Sequence, residues 1–86
     1  MGDMASTKED LIRAVDLATA GKWEEAHAIT QRHEGDATAD WLHAVLHKIE
    51  GDKENSHYWY RRTPHEYEDF ADPQAELAAI RKGLEE

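Results

Sequence analysis

Apolar residues recur along this chain at helical spacing. Leu11, Ile12, Val15 and Leu17 mark one side of a first segment. Ser6 or Thr7 offers it a cap, with Glu9 or Asp10 placed to complete a capping box, and Gly21 stops it. Lys22-Trp23-Glu24-Glu25-Ala26 opens a second helix that runs through Ile29 to about His33, with Gly35 beyond. So short a connection predicts that the two helices are antiparallel.

Asp36 or Thr38 caps a third helix, the most apolar of the chain. At about 100° per residue, Trp41, Leu42, Val45, Leu46 and Ile49 fall on one arc, and Asp40, His43, His47 and Glu50 on the opposite one. Gly51-Asp52 repeats the earlier stop, a fourth helix carries Ser56 to Arg62, and Pro64 closes it. His65 to Ala71 is acidic and aromatic and predicts a loop or short turn. Asp72 caps the last helix with Pro73 at its first position. Its narrow stripe of Leu77, Ile80 and Leu84, flanked by Glu76, Arg81 and Lys82, suits the cap of a stack. Leu11, Val15, Trp41, Val45, Ile49, Trp59 and Leu77 are expected to hold the fold.

The two helical pairs are copies. At an offset of thirty residues Ala14, Val15, Gly21, Glu24, His27 and Arg32 return as Ala44, Val45, Gly51, Glu54, His57 and Arg62. Ala26 is answered by small Ser56, and Leu11 and Ile12 by Trp41 and Leu42. Such a repeat predicts two stacked helical hairpins. The expected layout is one all-α domain: a disordered start (1–6), hairpins at 7–34 and 36–63, and a capping helix at 72–86.

Gly21-Lys22-Trp23-Glu24-Glu25-Ala26 resembles the turn and second-helix start of a tetratricopeptide repeat, and Gly51-Asp52 with Ser56 resembles it again. Ala14 and Ala44 sit where that family keeps a small residue, Tyr60 where it carries an aromatic, and Thr63 where alanine is usual. The period of thirty is shorter than the family's, and Arg13, His43 and His47 stand where it has leucine or tyrosine. The resemblance covers about residues 8 to 63 and implies a partner-binding role rather than an enzyme. The stretch from Ala39 to Asp52, with Asn55 and Tyr58-Trp59-Tyr60-Arg61-Arg62, also resembles a group of uncharacterised small bacterial helical proteins, and no activity comes with that likeness.

A net charge of −9 argues against nucleic-acid binding, since phosphate neutralisation requires a basic face. The absence of cysteine excludes disulfides, thiolate metal sites and cysteine nucleophiles. No apolar run is long enough to span a membrane, and the default expectation is a cytoplasmic protein with no membrane association. Met1-Gly2-Asp3-Met4-Ala5-Ser6 fits a loose myristoylation pattern, but no basic patch follows to make anchoring stable.

Two constellations carry chemistry. His43 and His47, four apart on one helix, have the spacing that clamps a metal ion, with Asp40 or Glu50 as an oxygen donor. The hydrolytic zinc motif has glutamate after its first histidine, where this chain has Ala44. The bland reading is a half-buried polar edge. Tyr58, Arg61 and Arg62 form the second constellation. Tyr58 and Arg62 share a helix face and stack, and tyrosine and arginine are frequent anchors at protein interfaces. The acids Glu66, Glu68 and Asp69 would need a deep pocket to act as a glycosidase pair and read as a solvated loop. The sequence therefore predicts a non-catalytic module that binds a protein partner or its own copy through Tyr58, Arg61 and Arg62, with no cofactor called for. The alternative is a small metal-binding or pH-sensing protein that uses His43 and His47.

Overall fold

The computed structural model describes residues 3–86, with side chains from Thr7 onward. Five helices make up the chain: α1 (Asp3–Thr19), α2 (Trp23–Gln31), α3 (Ala37–Glu50), α4 (Lys53–Tyr60) and α5 (Pro73–Glu85). A 3₁₀ turn, Tyr67–Asp69, interrupts the segment between α4 and α5, where the sequence predicts a loop or turn. No strand occurs among the described residues. Helix α1 is already formed at Asp3, ahead of the Ser6 or Thr7 cap expected from the sequence. Met1 and Gly2, and with them the start of the lipidation pattern, lie outside the described residues.

The glycine turns that follow α1 and α3 are built alike. Gly21 and Gly51 adopt φ of 83° and 89°, a left-handed conformation that costs a side-chain-bearing residue about 1–2 kcal/mol. The N–H of Lys22 donates to Leu17 O, and that of Gly21 to Ala18 O; thirty residues later Asp52 donates to His47 O, and Gly51 to Lys48 O. Both are Schellman caps, which satisfy the carbonyls that a helix end leaves unpaired. Helices α3 and α5 start as the sequence predicts. Asp36 accepts the N–H groups of Thr38 and Ala39, and Asp72 accepts that of Gln74 ahead of Pro73.

Helix α1 packs most extensively on α2, and α3 on α4, while α5 lies against both α1 and α3. The small residues at the repeat positions allow this closeness. Ala14, Ala26 and Ala44 are fully buried, and the Ser56 hydroxyl donates to Ala44 O across α3 and α4 at 2.8 Å. The core joins Leu11 and Val15 of α1, Ile29 of α2, Leu42, Val45 and Leu46 of α3, and Leu77 and Ile80 of α5. Each of the larger side chains contributes about 1.5–3 kcal/mol by burial.

Helix α3 touches all four other helices, so its polar arc is covered as well as its apolar one. Asp40, His43 and His47 are buried, whereas Ile49, expected in the core, is 37% exposed near the end of α3. Trp59 also lies outside the aliphatic core; it is partly buried, against His43. Glu76, expected to flank the α5 stripe, is completely buried. Its carboxylate accepts from Lys48 Nζ (2.7 Å), Trp41 Nε1 (2.8 Å) and the Tyr60 hydroxyl (2.7 Å). Lys48 Nζ also donates to Tyr67 O and Phe70 O, which fastens the 3₁₀ segment onto α3. Burial and the neighbouring carboxylate push the Tyr60 hydroxyl well above its ordinary range, so it stays a donor.

Candidate metal centre

Polar side chains on facing rows of α2 and α3 meet in one place. His43 and His47 lie on successive turns of α3, as their spacing requires, and α2 brings His27 onto them. His27 Nε2 lies 3.0 Å from His43 Nε2, and ring nitrogens of all three histidines fall within 4.8 Å of one another. The ring edges converge. The His27 plane stands at 80° to His43 and 71° to His47, while His43 and His47 are inclined by only 24°.

Tryptophans fix the rings. Trp23 stacks on His27 with centroids 4.5 Å apart, and its indole N–H is held by Leu46 O at 2.6 Å across the α2–α3 contact. Trp59, from α4, lies flat on His43 at 3.9 Å and 13°. One face each of His27 and His43 is thereby taken up, and His47 stacks against His43.

The electrostatics favour the neutral form of His43 and His27. Burial, reinforced by His27 and His47, pushes His43 from its ordinary 6.5 down to about 3. His27 is lowered as well, first by desolvation and then by His47, against a smaller opposing effect of Glu50. His43 Nδ1 is buried without a hydrogen-bond partner, so this ring, 3% exposed, is held by polar contact only through His27. His47 Nδ1 pairs with Glu50 Oε1 at 2.8 Å. A metal on the other ring nitrogen, Nε2, would leave this contact in place.

Of the residues that the sequence marks for metal, the structure brings together His43 and His47 and adds His27. Glu50 stands behind His47 rather than beside the shared centre, with Asp52 close by. Asp40 is turned to the other end of α3, where it accepts the Gly35 N–H at 3.2 Å. The other histidines are engaged elsewhere: His33 with Asp10, His57 stacked on Tyr67, and His65 stacked on Trp41. The signal for His27 lies in the sequence, because Trp23 and His27 form an i,i+4 row on the helix that follows α1 in the first hairpin. Recognising it requires knowing that this row faces His43 and His47.

Tyr58, Arg61 and Arg62 are exposed on and just beyond α4. The Arg62 guanidinium lies 5.1 Å from the Tyr58 ring centroid and 5.4 Å from that of Trp59, and donates to the Tyr58 hydroxyl at 3.1 Å. The stack expected from their spacing is present. No known protein family, curated protein or solved structure matches this chain.

Proposed function

We propose that the chain binds a divalent transition metal, best suited to zinc, between α2 and α3 through His27, His43 and His47. The observation that carries this reading is that one ring nitrogen of each of three imidazoles falls within 4.8 Å of the others. Two Nε2 atoms bound to a tetrahedral zinc at about 2.0–2.1 Å stand about 3.3 Å apart. The 3.0 Å between His27 and His43 is within a few tenths of an ångström of that, so an ion needs only a small opening of the pair. Glu50 supports it further, because a carboxylate on the far nitrogen is the usual orienting partner of a metal-bound histidine.

The test is the melting temperature with and without zinc. At free metal about 100-fold above Kd, binding to the folded state alone adds about 2.7 kcal/mol, which is roughly 10–20 °C for a domain of this size. His27→Ala, whose ring is partly exposed, and His43→Ala are each expected to remove most of the rise. A wild-type melting temperature indifferent to micromolar zinc would contradict the proposal.

A second reading rests on the exposed Tyr58, Arg61 and Arg62, and the two are compatible. The Tyr58–Arg62 stack fixes two long side chains in advance, which lowers the ordering cost of a protein contact. Replacing Arg61 and Arg62 by alanine is expected to leave the melting temperature within about 4 °C of wild type while weakening capture of any partner. Unfolding of the double variant would make the pair structural instead.

A further inference from the structure

We infer that the metal held by His27, His43 and His47 keeps one coordination position open, and that this position takes a small anion from solvent. The inference rests on the metal reading above. A zinc site closed for structure has four protein donors, whereas a site with three leaves the fourth to water or an added ligand. Among the described residues, the cluster that shares the centre consists of the three histidines alone.

The nearby acids are committed elsewhere. Glu50 accepts from His47 Nδ1, on the opposite edge of that ring from Nε2. Asp52 caps α4, with one carboxylate oxygen on the Asn55 N–H and the other on the Asn55 side-chain amide. Asp40 holds the Gly35 N–H. To enter the sphere, Asp52 would give up a cap and Asp40 a turn, and Glu50 would have to swing from the far side of the His47 ring.

Access and charge then decide what fills the position. His43 and His47 are buried, but His27 is only partly so, which places the opening on the α2 side. Trp23 and Trp59 lie against the faces of His27 and His43, so the opening admits a donor of few atoms. Three imidazoles bring no charge to a doubly positive ion. In a partly desolvated site an anionic fourth donor is therefore favoured over a neutral one. Hydroxide, generated when the ion acidifies its bound water, belongs to the same class.

Cobalt(II) reports this directly, because its visible ligand-field bands depend on the donor set. The full chain loaded with one equivalent of cobalt(II) is titrated with azide. The expected result is a saturable change in those bands at one azide per cobalt, with the protein remaining monomeric in sedimentation. His27→Ala, which keeps the buried His43 and His47, is expected to bind cobalt weakly and to lose the response. Cobalt bands that ignore saturating azide would overturn the open position and leave metal binding standing. Bands unchanged because cobalt drives two copies together would overturn it equally, since the second copy then supplies the donor. Failure to bind cobalt or zinc at all would remove both proposals.

Discussion

His43 shows how much a single side chain can tie pH to folding. Its folded-state value of about 3 lies below the ordinary 6.5, so the native ring resists a proton that the unfolded chain accepts. The contribution is complete above pH 6.5 and is lost progressively as pH falls towards 3. His27 from α2 and His47 from α3 face it, and Trp59 from α4 lies flat on its ring. His43→Phe keeps the stack on Trp59 and removes the titration. Urea unfolding between pH 7 and 4 is expected to show a stability loss of up to a few kcal/mol in the wild type and a flatter profile in the variant. Identical profiles would mean that His43 is not the group that resists protonation. Zinc and protons compete for the same lone pair, so in the folded chain His43 is expected to yield metal to protons only as pH approaches 3.

At the scale of elements, the buried Glu76 carboxylate links α5 to Lys48 and Trp41 of α3 and to Tyr60 of α4. Removing one partner of a buried pair leaves an uncompensated charge, at a cost of about 3–5 kcal/mol. Glu76→Ala is expected to lose about that much in urea unfolding. The double change Lys48→Met with Glu76→Leu is expected to lose less than Glu76→Ala alone, because no charge is then stranded. A double variant weaker than Glu76→Ala would show that the contacts to Tyr67 O and Phe70 O dominate. The helices, their glycine stops and the Asp36 and Asp72 caps were legible because each is a local device. Glu76 was not, since it sits at the edge of the Leu77–Ile80 stripe and its burial depends on where Lys48 and Tyr60 arrive from other helices. Ile49 fails for the complementary reason: it falls on the apolar arc of α3, yet at the end of that helix it stays 37% exposed.

On the scale of the whole molecule, α3 is wrapped by the other four helices, and this turns a polar arc into an interior one. The sequence placed His43 and His47 on one row but left open whether that row was an edge or a site. Covering it with Trp23 and His27 from α2 and Trp59 from α4 settles the geometry in a way that periodicity along α3 cannot express. The copied turns at Gly21 and Gly51 carry the repeat, yet the copies have diverged in use. His27 joins the cluster, while its counterpart His57 stacks on Tyr67. The outer face of α4 stays free for contact through Tyr58, Arg61 and Arg62. The most direct measurement of the central claim is the X-ray absorption spectrum of the zinc-loaded chain. The account expects three imidazole nitrogens at about 2.0–2.1 Å, with the outer-shell scattering of histidine rings, and one further light donor. A shell of carboxylate and water oxygens without imidazole scattering would contradict it.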